Sequence, residues 1–140
     1  MDKGYAKVDR SWLDGDTLEW LLLIETKLIA ANPQIRADAG KVAIQRGPLV
    51  YCVEEVDNDL PLASLSLAEE PKLMESVVSN LLCGCVVVEG DGQMVDKSAW
   101  MECQPYRPLC KQSRPLRFKA IPYYLWGNRQ PGEMRVWLRY

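Results

Sequence analysis

Residues 41–55 read KVAIQRGPLVYCVEE. Two short runs rich in Val, Ile, Leu and Tyr flank Gly47-Pro48, and in the second run Leu49, Tyr51 and Val53 recur with a period of two. Side chains on a strand point to opposite faces in turn, so this pattern predicts strands at 41–46 and 49–54, with Leu49, Tyr51 and Val53 turned inward. Glycine reaches positive φ without steric cost and proline presets its own, which makes Gly47-Pro48 a break between strands. A loop that delivers Arg46 to a ligand is the functional alternative for the same residues. Just upstream, Asp38-Ala39-Gly40 reads as a turn into the Val42 strand, with Asp38 capping backbone amides.

The same period extends in both directions. In TLEWLLLI (17–24), Leu18, Trp20, Leu22 and Ile24 fall on one face and Thr17 and Glu19 on the other. Ser64 to Leu67 alternate strictly. Leu116, Phe118 and Ala120 alternate with Arg117 and Lys119, and Val136 and Leu138 with Arg135, Trp137 and Arg139. Further strands are predicted at 4–12, 17–24, 26–31, 64–68, 72–78, 85–89, 116–121 and 133–139. Asp14-Gly15-Asp16, Asn32-Pro33, Asp57-Asn58-Asp59, Gly90-Asp91-Gly92 and Gly127-Asn128 punctuate them. Many short strands with such punctuation predict an all-β fold, an antiparallel β-sandwich of jelly-roll-like kind, forming a single domain over residues 1–140. AEEPKLMESVVSNLL (68–82) admits either a strand or one short helix after Pro71. Residues 90–115 show little periodicity and read as a long surface excursion.

Composition narrows the function. A chain of 140 residues has the length of one domain and can bury a real core. Its 48% apolar and 26% charged residues are those of an ordinary soluble protein. Seventeen basic against nineteen acidic residues give a net charge of −2, with no electrostatic footprint for nucleic acid or an anionic membrane. The apolar runs are too short to span a bilayer, and MDKGYAKVDR is too polar for a secretory leader. The five cysteines, Cys52, Cys83, Cys85, Cys103 and Cys110, are odd in number and include no C-x-x-C pair. Reduced thiols packed as small hydrophobes, in a cytoplasmic setting, are therefore expected. A metal site at LLCGC would need thiolates gathered from distant loops, and none is predicted.

Histidine is absent, which removes the Ser-His-Asp and Cys-His constellations together. The carboxylate clusters Glu54-Glu55, Asp57-Asn58-Asp59 and Glu69-Glu70 read as solvated loop charges, with Glu54 and Glu55 pointing to opposite faces. GDGQM (90–94) lacks the lysine and the helix of a phosphate cradle. No catalytic residue is predicted. The binding candidates lie in AIPYYLWGNRQPGEMRVWLRY (120–140), where Tyr123, Tyr124 and Trp126 precede the Gly127-Asn128 turn. As a sugar platform, Tyr124 or Trp126 would stack on a ring while Asn128 and Arg129 bond hydroxyls. As structure, these aromatics would pack under the loop or against a neighbouring domain, and that reading is preferred. Trp12, Trp20, Trp100 and Trp137 are read as core or interdomain contacts.

Four stretches together carry a resemblance: GYAKVDRSWLDGDTLEW (4–20), ANPQIRADAGKVAIQRGPLVYCVEEVDN (31–58), LLCGCVVVEG (81–90) and AIPYYLWGNRQPGEMRVWLR (120–139). In order and spacing the chain resembles the C-terminal β-sandwich region of glycoside hydrolase family 127, the β-L-arabinofuranosidases, also catalogued as domain-of-unknown-function family 1680. The resemblance implies a non-catalytic accessory domain that supports an (α/α)6 catalytic barrel and its dimer. The family's cysteine nucleophile, acid/base glutamate and cysteine-rich zinc site belong to that barrel, so the resemblance implies no cofactor here. Cys83 and Cys85 fall where the family has a Leu-Gly-Gly type turn and do not correspond to zinc ligands. Implied partners are the barrel or a second copy of the chain, with arabinose-containing carbohydrate the ligand of an independent binding module. An excised domain or a truncated gene product would both account for the missing barrel.

Overall fold

The computed structural model describes residues 3–95, 103, 105–108 and 113–140. It is mostly β. Among the described residues nine strands follow one another: β1 (Thr26–Ala30), β2 (Lys41–Arg46), β3 (Leu49–Glu54), β4 (Leu65–Leu67), β5 (Leu73–Val78), β6 (Cys85–Val95), β7 (Ser113–Pro122), β8 (Met134–Arg135) and β9 (Leu138–Arg139). The central hairpin has the predicted bounds at both strands. β2 and β3, however, pair only at Gln45–Val50 and Arg46–Leu49, next to the Gly47-Pro48 turn. Beyond it they splay, and the end of the chain enters the gap. β8 pairs with β3 and β9 with β2, so the single strand expected at 133–139 is two short ones with different neighbours.

That seam closes the sheet. Hydrogen bonding runs β2–β9–β4–β6–β7–β3 and back to β2, with β1, β5 and β8 as additional strands on this ring. Two separate sheets, as expected of a sandwich, are not seen among the described residues; all nine strands join one sheet closed into a barrel. Every pairing is antiparallel except a single parallel bridge between Ser66 and Arg139.

β6 and β7 form the longest ladder, from Val88–Ala120 to Val95–Ser113. Residues 90–95 and 113–115, given to the surface excursion, thus belong to strands, and of the span between only 103 and 105–108 are described. Gly90 explains why periodicity failed there. A Cβ on Gly90 would lie 2.5 Å from Phe118 Cζ and 2.8 Å from Leu73 Cδ2. The strand omits a side chain where a neighbouring ring fills the space, so its apolar pattern breaks although its ladder does not. After Pro71 the chain is strand β5, and the one short α-helix among the described residues is α1 (Glu55–Asn58), closed by Asp59 in the left-handed region at φ 49.

The main core fills the barrel with Val42, Ile44, Tyr51, Val53, Leu62, Leu65, Leu67, Val88, Phe118, Ala120 and Leu138. Tyr51 and Val53 point inward as expected, whereas Leu49 is 36% exposed. A second cluster lies on the opposite face: Cys52, Cys85, Val87 and Ile121, under Leu81, Leu82, Leu125, Met134 and Val136. Strands β3, β6 and β7 are therefore covered on both faces over part of their length. Cys52 and Cys85 pack as small hydrophobes, and burial pushes both thiols up, Cys52 to about 12. Cys83 and Cys103 are exposed instead, and Cys110 and Trp100 lie outside the described residues. Asp38 makes no side-chain cap; in that loop Asn32 Oδ1 accepts from the Gln34 amide at 2.9 Å.

TLEWLLLI departs most from expectation. Residues 17–24 are not a strand, and Leu18, Trp20, Leu22 and Ile24 are all exposed. Residues 4–12 are likewise exposed and form no strand. The period-two pattern is present, but among the described residues no strand pairs with it.

Candidate functional site

The loop 127–133 lies between a 3-10 turn (Tyr123–Leu125) and β8, and three acidic residues grip it. Glu54 closes β3 and is 5% exposed; Asp57 sits in α1, one turn on. Glu54 Oε1 accepts from the Gly127 amide at 2.9 Å, and Oε2 takes Arg129 Nη2 at 2.5 Å. Asp57 meets the same guanidinium with both oxygens, Oδ1 to Nη1 at 2.6 Å and Oδ2 to Nη2 at 2.5 Å. Glu55 faces the other way, and its Oε2 accepts from the Glu133 amide at 2.9 Å. The two adjacent glutamates do point to opposite sides, and each holds one end of the loop.

These acids are not the solvated loop charges that the sequence suggested. The side chains of Glu54 and Asp57 are 6% and 8% exposed, and Arg129 is 21% exposed. Hydrogen bonds from the guanidinium to Asp57 and then Glu54 hold Arg129 above its ordinary value, so it stays charged. Its Nε is buried with no partner among the described residues. Local reading missed the cluster because Arg129 lies 72 and 75 residues from its partners. The one available signal was a lone arginine inside a Gly/Pro-rich turn. α1 is anchored similarly: Asn58 Nδ2 donates to the carbonyls of Glu54 and Lys119, and its Oδ1 accepts from the Lys119 amide.

The five candidate residues lie in one turn but face different tasks. Tyr123 and Trp126 stack on each other, centroids 6.2 Å apart and planes at 26°. Asn128 Nδ2 donates to the carbonyls of Leu125 and Trp126. Arg129 is committed to Glu54 and Asp57. Tyr124 is 64% exposed and is the most open of the three rings. Beside the loop is a recess of about 360 Å³ lined by Glu54, Trp126, Gly127, Arg129, Gln130, Pro131 and Gly132. Around the corner, Val50, Tyr123, Met134, Val136 and Trp137 line an apolar recess of about 470 Å³. Among the described residues no three His, Cys, Asp or Glu side chains converge as a metal cluster.

Arg46 has a structural partner too. Its Nε donates to Glu75 Oε2 at 2.8 Å, and Thr26 Oγ1 donates to Glu75 Oε1 at 2.6 Å, which ties β1, β2 and β5 together outside the barrel. The Thr26 hydroxyl, then Arg46, hold the Glu75 carboxyl below its ordinary value.

Against this geometry stand the comparisons with known proteins. The model of the glycoside hydrolase family 127 C-terminal domain matches residues 26–139. The non-reducing end β-L-arabinofuranosidase of Bifidobacterium longum subsp. longum is 39% identical over 133 residues, which covers 89% of this chain and 20% of that protein. A family 127 β-L-arabinofuranosidase from Geobacillus stearothermophilus superposes with a TM-score of 0.80 at 49% identity, over 84% of this chain and 18% of that one. A further family 127 β-arabinofuranosidase gives 0.70 at 32% identity, over 83% of this chain and 17% of that one. The chain thus spans about a fifth of the length of the relatives it matches.

Proposed function

Since this chain belongs to the glycoside hydrolase family 127 C-terminal domain family, we propose that it is the accessory β domain of an arabinofuranosidase-like enzyme and has no catalytic role of its own. It supports the catalytic barrel that the resemblance implies and contributes to that enzyme's assembly. One observation carries the reading: a family model for a C-terminal domain accounts for residues 26–139, in a chain that is a fifth of its relatives. The site geometry agrees with it. Most glycosidases work with a pair of free carboxyl groups flanking the scissile bond, and the resemblance implies a cysteine with a free glutamate in this family. Glu54, Glu55 and Asp57 are instead bonded to Arg129 and to backbone amides. The polar groups that a sugar platform would draw on are also taken up internally, with Asn128 on carbonyls and Arg129 on carboxylates.

The test is activity by addition. The purified chain should release no arabinose from a β-L-arabinofuranoside. A fusion that replaces the matched part of the Geobacillus relative with this chain should be soluble and active. Hydrolysis by the chain alone, or a fusion that fails to fold, would overturn the reading.

A further inference from the structure

The chain holds two Asp-Gly steps, Asp14-Gly15 and Asp91-Gly92, and their surroundings are opposite. Before a glycine, the aspartate carboxyl can be approached by the next backbone amide, because no Cβ hinders it. Asp91 and Gly92 lie within β6, where Gly92 pairs with Leu67 of β4 on one side and Leu116 of β7 on the other. Gly92 is buried, and a Cβ on it would lie 3.0 Å from Leu65 Cδ1 and 3.1 Å from Ser66 O. The Asp91 carbonyl accepts from the Ala68 amide at 3.1 Å. A backbone fixed on both edges turns its amide toward the side chain only when the ladder opens locally.

Asp14 and Gly15 are the central residues of a turn, in which the Asp16 amide donates to Leu13 O at 3.1 Å and Gly15 takes φ 89. Asp16 Oδ2 is engaged, accepting from the Leu13 amide at 2.9 Å and from Arg10 Nη2 at 3.0 Å. The Asp14 carboxyl and the Gly15 amide have no hydrogen-bond partner among the described residues. A Cβ on Gly15 would meet nothing within 4 Å, and the arm ahead of β1 is exposed throughout residues 3–25. Nothing packs on this turn to keep the two groups apart.

We propose that Asp14-Gly15 is a modification site, where this chain isomerises spontaneously to isoaspartate and becomes a substrate for a carboxyl methyltransferase of the isoaspartate-repair class. The Gly15 nitrogen bonds to Asp14 Cγ, and the carboxyl hydroxyl leaves with the amide proton as water. A cyclic succinimide remains. Water then adds to one of its carbonyls. Addition at the former main-chain carbonyl routes the backbone through the Asp14 side chain, with an extra methylene and a free α-carboxylate. That carboxylate is the group that such an enzyme esterifies, using a sulfonium methyl donor. The exposed arm on either side of the turn gives it access. The inference stands independently of the accessory-domain reading.

Incubation of the 140-residue chain in warm, mildly acidic buffer, both folded and in urea, tests this. Isoaspartate is read by peptide mapping and by methyl transfer from an isoaspartyl methyltransferase. In the folded chain the product at residue 14 should exceed that at residue 91 by at least about tenfold, because reaction at 91 waits on opening of the ladder. In urea the two sites should react alike. Asp14→Asn should form isoaspartate faster, through loss of ammonia, and Asp14→Glu should remove the product at this site because the larger ring closes far more slowly. Equal yields at 14 and 91 in the folded chain would overturn the proposal. So would a residue 14 that reacts only once urea is added, since the turn would then be protective.

Discussion

Removing the Arg129 guanidinium would leave Glu54 and Asp57, both nearly buried, facing one another without a cation. Breaking such a pair costs more than the pair itself contributes, because a desolvated charge is left uncompensated. Arg129→Leu should therefore lose about 3 kcal/mol of unfolding free energy, measured by urea titration. The same change made in Glu54→Gln should cost measurably less, a coupling that a double-mutant cycle isolates. If Arg129 were instead a ligand residue idle in the free protein, R129L would leave stability untouched. Glu75 gives a contrasting case at the surface. Its carboxyl is held below the ordinary 4.5 by Thr26 and Arg46, so its contribution is fully present above pH 4.5 and is lost as pH falls through the lowered folded value. The Tm gap between wild type and Glu75→Gln should be open at neutral pH and should close on acidification below 4.5. With the Glu75 side chain 35% exposed, that gap should correspond to less than about 1 kcal/mol.

At the scale of the element, Gly90 decides whether β6 and β7 can lie where they do. It is paired directly with Phe118, whose ring occupies the space a Cβ would need. Gly90→Ala should cost about 1–3 kcal/mol through overpacking, and Phe118→Leu should recover part of that in the double variant. A Gly90→Ala protein as stable as wild type would mean that the ring moves aside freely. This pair also marks where the sequence was legible. Strands 41–46 and 49–54 were readable to the residue because two apolar runs are cut cleanly by Gly47-Pro48, although burial in them is continuous rather than alternating. β6 was cut short at 89 because its next two inward positions are Gly90 and Gly92, and 133–139 was fused because alternation says nothing about a change of partner. The acid–arginine cluster was invisible for a third reason: its members meet only after the barrel closes, and each looks like an ordinary loop charge alone.

For the molecule as a whole, periodicity records which surface needs covering, not where the cover is. The barrel supplies its own cover through two clusters, one inside and one beneath Leu81, Leu125 and Met134. Residues 17–23 draw on neither, so their removal should not weaken the body. A chain starting at Ile24, which keeps the contact with Gly47, should melt within about 2 °C of the full chain, below the shift of about 4 °C that 1 kcal/mol produces in a domain of this size. It should also bind less of a hydrophobic dye such as ANS, because it lacks that exposed apolar patch. A substantial drop in Tm on truncation would instead mean that the arm folds back onto the barrel in solution, and the period-two run would then be core after all.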